Sequence, residues 1–298
     1  MRTAFIINGS AGSGCDDAWL AQHRDAMEAL GAEEGRITLA RDGSQIAAAA
    51  RAALDAGCER VVAGGGDGTV SAVAAHLVGR EAALGVLPLG TLNHFAKDLR
   101  LPLDTLAAFQ TLREGRVQAV DVGEVNGEYF INNSSLGLYP RIVRGRERQQ
   151  RQLGRGKWPA FVWACLHTLR RYPFVDLHLK VDGRDFYHRT PFVFVGNNEY
   201  QMSGLRIGAR ERLDGGQLSL YLAHRTGRWG LLRLALHALV GRLHQVKDFR
   251  SVHTDAFRID TGDDHLRVAT DGEVQLMRPP LRYRIHPRAL RVIVPAGG

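Results

Sequence analysis

Residues 64–70 read Gly-Gly-Gly-Asp-Gly-Thr-Val, directly after the apolar stretch Val61, Val62, Ala63. Glycines at a strand-to-helix turn bring backbone N–H groups up to a phosphate with no Cβ in the way. Asp67 can hold Mg²⁺ or orient a hydroxyl, and Thr69 can cap the following helix and bond a phosphate oxygen. A tight turn alone does not need four glycines around one acid. Gly64, Gly65, Gly66, Asp67, Gly68 and Thr69 therefore read as a nucleotide phosphate site.

Two further loops carry related chemistry. Residues 8–14, Asn-Gly-Ser-Ala-Gly-Ser-Gly, follow the first apolar run and offer free N–H groups from Asn8 onward. No Gly-Lys-Ser/Thr follows, so this is not a Walker A loop. Residues 88–96, Pro-Leu-Gly-Thr-Leu-Asn-His-Phe-Ala, place the Thr91 hydroxyl and the Asn93 amide where a turn meets a helix. Both types also favour helix caps, and capping is compatible with ligand binding.

The elements that must position these loops alternate over the first 125 residues. Strands are expected at 3–7, 36–40, 60–63 and 84–87, and helices at 16–30, 44–56 (with Ser44 as N-cap), 70–78 and 103–112. That order predicts a parallel, doubly wound sheet, whose ligands sit at the carboxyl ends of the strands. After residue 117 short β-like runs dominate, separated by Asn126-Gly127, Asp182-Gly183, Thr261-Gly262 and Asp271-Gly272. These predict an antiparallel sandwich, interrupted by helical segments near 157–171 and 228–245. The expected division is 1–125 for the α/β nucleotide domain and 126–298 for the β-sandwich, with the last strand returning to the first domain.

Taken in order, Gly65–Thr69 and Pro88–Asn93 resemble the diacylglycerol kinase catalytic family, which includes bacterial lipid kinases and the sphingosine and ceramide kinases. The loop from Asn8 is similar to that family's Asn-Pro-x-Ser-Gly-x-Gly, with Gly9 in place of Pro. Asp121-Val122-Gly123 with Phe130-Ile131-Asn132 resembles its domain junction, and Asp271-Gly272-Glu273 its C-terminal Asp-Gly-Glu. The resemblance implies ATP- and Mg²⁺-dependent phosphorylation of a lipid hydroxyl, on an α/β nucleotide domain plus a β-sandwich with the site between them. It implies that Gly65–Thr69 hold the ATP phosphates and that Thr91 and Thr38 contact the nucleotide. It makes Asp271 the general base, with Glu273 beside it and Asp67 as rival base or Mg²⁺ ligand. Two departures stand out. His94 replaces a carboxylate in the family's Asn-Asp-Phe-Ala, and Leu213-Asp214-Gly215 keeps one aspartate of an Asp-Asp-Gly metal segment, leaving Asp214 as candidate metal ligand.

Charge agrees with an anionic partner. Lys and Arg outnumber Asp and Glu by 39 to 31, a net +8. Seven basic residues between 141 and 157 precede Trp158 to Trp163, and a second basic–apolar stretch begins at Arg228. Cations beside Trp and Leu suit an anionic membrane interface, whereas no nucleic-acid module is recognisable. The longest stretch without Asp, Glu, Lys or Arg, residues 82–96, is 15 residues, short of the ~20 a bilayer span needs. Three scattered cysteines read as reduced thiols, and the first apolar run as a strand rather than a signal peptide. The expectation is a cytoplasmic enzyme, peripheral at the inner face of the membrane, whose substrate is a membrane lipid; dimers occur in the family. Two other functions fit part of the pattern: an NAD kinase-like soluble kinase, and a non-catalytic lipid- or nucleotide-binding regulator.

Overall fold

The computed structural model describes residues 1–10, 15–137, 175–181, 183–190, 192–201, 209–223 and 249–297. The basic segment at 141–157, the helical segments near 157–171 and 228–245, Cys165 and the end of the 8–14 loop lie outside them. The chain divides into two compact units: Met1–Val122 with Arg212–Asp214 and His286–Gly298, and Gly123–Glu211 with Gly215–Ile285.

The first unit runs β1 (Thr3–Asn8), α1 (Asp17–Ala29), β2 (Ala32–Ala40), α2 (Gly43–Asp55), β3 (Arg60–Gly65), α3 (Asp67–Leu77), β4 (Ala83–Pro88), α4 (His94–Asp98), α5 (Thr105–Glu114) and the start of β5 (Arg116–Val125). β2, β1, β3 and β4 lie side by side and parallel. Their runs are apolar without alternation, because helices cover a parallel sheet on both faces; β3 and β4 are buried along their whole length. Phe5, Ile7, Val62, Leu87, Phe109 and Leu112 share one core cluster.

Two helix starts differ from expectation in what caps them. α2 is capped by Asp42, which accepts from the Gln45 N–H at 3.0 Å, while the expected cap Ser44 donates its hydroxyl to the same carboxylate at 2.6 Å. A carboxylate outcompetes a hydroxyl as acceptor for N–H donors. α3 starts at Asp67, three residues earlier than the apolar periodicity indicates, with Gly66 as N-cap. Thr69 therefore lies inside the first turn and does not cap it.

The second unit continues with β6 (Glu128–Phe130), β7 (Asn133–Gly137), β8 (Val175–Val181), β9 (Arg184–Thr190), β10 (Phe192–Asn197), β11 (Leu218–Ala223), β12 (Phe249–Thr254), β13 (Ala256–Asp260), β14 (Leu266–Thr270), β15 (Glu273–Met277) and β16 (Leu281–Val294). One antiparallel sheet has the order β12-β11-β10-β7-β14-β15. Against it stand β8 and β9 with β13, and β13 with the first residues of β16, all antiparallel. Alternate residues of both layers fill one core: Leu177, Leu179 and Val181 from one, Leu218, Leu220 and Leu222 from the other. This is the period-two signature of a sandwich.

The sequence pattern suggests two strands at 282–286 and 290–294; the structure has one, β16. Pro287 and Arg288, the latter at φ +53°, sit within it. The Arg288 N–H donates to Asp121 Oδ1 at 2.7 Å, which holds the kink. Farther on, Val292 pairs in parallel with Leu84 of β4.

Candidate functional site

The three small-residue loops meet at the carboxyl ends of β1, β3 and β4. Asn8 ends β1, Gly65 ends β3 and Pro88 ends β4. Asn8 Nδ2 donates to Thr69 Oγ1 at 2.9 Å, which ties the first loop to the first turn of α3. Asn8 Oδ1 accepts from the Ser10 N–H at 2.9 Å, turning its own loop.

Asp67 joins the second and third loops. Its Oδ1 accepts from the Phe95 N–H at 3.1 Å, in the first turn of α4. The N-cap position of that helix belongs to Asn93, whose side chain makes no capping bond. Asn93 instead closes its own loop in a left-handed conformation, φ +50°. Its Nδ2 donates to Gly90 O at 2.8 Å and Pro88 O at 3.3 Å, and its Oδ1 accepts from the Gly90 N–H at 3.1 Å. A helix start left without its own cap is thus served by an acid from the preceding βα turn.

The glycines divide by what requires them. A Cβ at Gly64 would overlap Ile7 Cδ1, one at Gly65 would lie 2.5 Å from Thr69 Oγ1, and one at Gly90 would overlap Gly66 Cα. The two turns therefore pack backbone to backbone. Gly68 is different: it is exposed, it is helical, and a Cβ there would meet no atom of the described residues within 4 Å. Packing among the described residues does not account for it. Gly90, whose absent side chain permits the contact, is a member of the site that motif reading passed over; its signal is its place between Leu89 and Thr91.

The remaining expected residues fall as follows. Thr91 is exposed on the third loop, and His94 is exposed on the first turn of α4. Thr38 lies inside β2, half-buried, paired with Ile6. Asp214 is half-buried, with Oδ1 3.1 Å from Arg212 Nε.

Asp271 belongs to the second unit. With Gly272 it forms the two-residue turn between β14 and β15, at φ +49° and +92°, as the right-handed twist of a hairpin favours. Its carboxylate accepts three backbone N–H groups: Ile131 on Oδ2 at 2.8 Å, and Asn132 and Asn133 on Oδ1 at 2.8 and 3.0 Å. The carbonyls of the same segment are held from the other side. Ile131 O accepts from Asn197 Nδ2 at 2.9 Å and from Arg210 Nη1 at 2.6 Å. Asn132 O accepts from the Tyr200 hydroxyl at 3.0 Å, and Asn132 Oδ1 from Arg210 Nη2 at 2.8 Å. Arg210 is buried and lies 5.3 Å from the Tyr200 ring centre. Sequence reading missed Asn197, Tyr200 and Arg210, since nothing local marks a buried arginine. Glu273 is exposed at the start of β15.

Comparison with known proteins agrees with this architecture. Residues 2–125 match the diacylglycerol kinase catalytic domain, and residues 143–294 match the YegS C-terminal NAD kinase beta sandwich-like domain. The chain is 26% identical over 299 residues to a diacylglycerol kinase of Bacillus subtilis, covering 99% of this chain and 96% of the relative. It is 32% identical over 253 residues to a Pseudomonas aeruginosa protein named "Probable lipid kinase YegS-like", covering 82% and 80%. A crystal structure of a diacylglycerol kinase from Bacillus anthracis superposes with a TM-score of 0.70 over 98% of this chain and 96% of that one; at 19% identity this likeness speaks for the fold. The matched domains together span nearly the whole sequence, and the chain belongs to the diacylglycerol kinase catalytic-domain family of lipid kinases.

Proposed function

We propose that this chain transfers the γ-phosphate of ATP to a hydroxyl of a diacylglycerol-like or sphingoid membrane lipid. One observation carries the reading. Three loops at the carboxyl ends of adjacent parallel strands are bonded into one surface, and that surface presents a glycine, Gly68, that packing among the described residues does not require. Phosphoryl transfer asks the protein for positioning and charge stabilisation rather than covalent chemistry. Gly65–Thr69, with Asn8 fixing Thr69, would present N–H groups and a hydroxyl to the phosphates; Thr91, Asn93 and Thr38 would border the rest of the nucleotide.

Asp67 is the acid of this surface that would hold Mg²⁺. Among the described residues no group of three or more His, Cys, Asp and Glu gathers at one point, which fits an ion that takes most of its ligands from phosphate and water. When bound, the ion neutralises phosphate charge. Asp214 would hold a structural ion only by giving up Arg212. The acids of the 271–273 hairpin would take the hydroxyl proton. Three N–H donors already draw on the lone pairs of Asp271, which fixes the 131–133 segment. Glu273 has no such clamp among the described residues.

The net positive charge supports peripheral, cytoplasmic-side attachment to anionic lipid, and a homodimer is compatible with the family. Among the described residues no helix is long and apolar enough to cross a membrane. The test is phosphate transfer from γ-labelled ATP with Mg²⁺, offered diacylglycerol or sphingosine vesicles in one arm and NAD in the other. The sandwich's likeness to that of NAD kinases motivates the second arm. Label on lipid is expected; label on NAD alone would replace this reading with a soluble kinase, and label on neither with a binding protein. Vesicle co-sedimentation should require anionic lipid and weaken with salt.

A further inference from the structure

The rim of the first unit's sheet remote from the glycine turns carries a second concavity. β3 and β4 pair in register, from Arg60 opposite Ala83 to Gly65 opposite Pro88. The two ends of β3 are about 17 Å apart at ~3.3 Å per residue. Around the amino ends lies a cavity of about 580 Å³, whose lining carries three cations, Arg60, Arg80 and Arg291, and two acids, Glu59 and Glu81, with apolar wall from Cys58, Ala83 and Ile293. Its volume falls in the range of small-molecule sites.

Arg60 is the informative member. It is only 9% exposed, and its Nε is buried with no hydrogen-bond partner. Burial pushes its pKa down, and among the described residues it makes no ion pair with Glu59 or Glu81 of the same lining. Arg291 donates Nη1 to the exposed Glu81 at 2.5 Å, yet its Nε is likewise buried without a partner. Glu59, on the same rim, already accepts the Arg2 backbone N–H at 3.0 Å. Arg80 is exposed at the mouth. A guanidinium withdrawn from water without an acid is costly, and such local violations tend to mark sites where a ligand completes the set.

We propose that this cavity is an anion-binding site, separate from the glycine turns, which takes a phosphate or carboxylate carried on a small apolar body. Arg60, with its buried, unbonded Nε, supplies a guanidinium suited to two parallel bonds to an oxyanion. Arg80 guides entry, and the apolar walls take the body. The inference does not depend on the lipid-kinase reading.

Phenyl phosphate, benzoate and dihexanoyl phosphatidic acid serve as probes, each titrated into the full chain by calorimetry and thermal unfolding. A non-hydrolysable ATP analogue with Mg²⁺ is kept saturating, so that the glycine turns do not contribute. At least one probe should bind the wild type and raise its melting temperature, by ~5 °C at a hundredfold excess over Kd. Arg60→Met should abolish that rise while melting no lower than wild type without probe, because it removes an uncompensated buried charge. Arg80→Gln, at an exposed position, should weaken binding by about tenfold. Response to phosphatidic acid alone assigns the anion to a lipid headgroup, and response to phenyl phosphate or benzoate to a soluble metabolite. Equal binding by wild type and Arg60→Met, or no binding of any probe at 10 mM (a concentration of roughly this order detects even weak sites), overturns the proposal.

Discussion

Replacing Gly68 by alanine separates a glycine kept for a ligand from one kept for the fold. Gly68 is the second residue of α3, and a Cβ there meets nothing of the described residues within 4 Å. Alanine is favoured over glycine in a helix by about 0.5–1 kcal/mol, so the variant should be slightly more stable than wild type. If the Gly68 backbone lies against a phosphate, the new methyl displaces it and forfeits one hydrogen bond to a charged group, about 1.5–3 kcal/mol. That corresponds to a fall in kcat/KM for ATP of roughly 10- to 150-fold. Gly90→Ala is the contrasting control. Its Cβ would overlap Gly66 Cα and lie 2.8 Å from Asn93 Oδ1, so stability should drop by about 1–3 kcal/mol along with activity. The assay is steady-state lipid phosphorylation at varied ATP, paired with chemical denaturation. A Gly68→Ala enzyme with wild-type kcat and KM would refute the placement of phosphate on this turn.

Asp271→Asn turns an amide N–H₂ toward backbone N–H donors and should cost about 2–3 kcal/mol of stability. Lost activity in that variant is therefore ambiguous. Glu273→Gln, at an exposed position, should stay within about 0.5 kcal/mol of wild type in denaturation yet lower kcat if Glu273 takes the proton; unchanged kcat removes it from the mechanism. Burial, and then the positive charge of Arg51, hold the His76 pKa below its ordinary 6.5. The unfolded chain thus binds more protons there, and stability present above pH 6.5 is lost as pH falls toward the lower folded value. His76→Gln should flatten that slope in denaturation between pH 5 and 7, a window set by the ~6.5 reference value; an identical slope would contradict the assignment. The fully buried Tyr283 shares a 3.0 Å hydrogen bond with Ser134 and stacks on Phe257. Tyr283→Phe should leave Ser134 unpaired and cost about 1–3 kcal/mol, read by urea unfolding.

Much of the first unit was legible because its information is local. Apolar runs ending in glycine or asparagine mark strands whose carboxyl ends carry loops, and Asp16 and Asp104 cap the helices they precede. The second unit was less legible. β7, β9 and β12 carry mostly polar residues, and the pattern does not mark them. β9, with exposed Tyr187 and Phe186, is the last strand on its path. Strands of this kind form because a neighbour offers hydrogen bonds, and pairing of this sort leaves no periodicity to read.

The order and chemistry of the glycine turns, the alternation of strand and helix, and the hairpin at Asp271-Gly272 follow from the sequence, since each rests on neighbours a few residues apart. Only the tertiary structure decided that Asp67 serves a helix 28 residues away, that Gly90 is small for the sake of Gly66, and that Asp271 holds a segment some 140 residues earlier. It alone left Arg60 Nε buried without a hydrogen-bond partner among the described residues. These are contacts between groups that folding brings together from distant parts of the chain, and a backbone amide or a missing Cβ has no side chain through which the sequence could announce them.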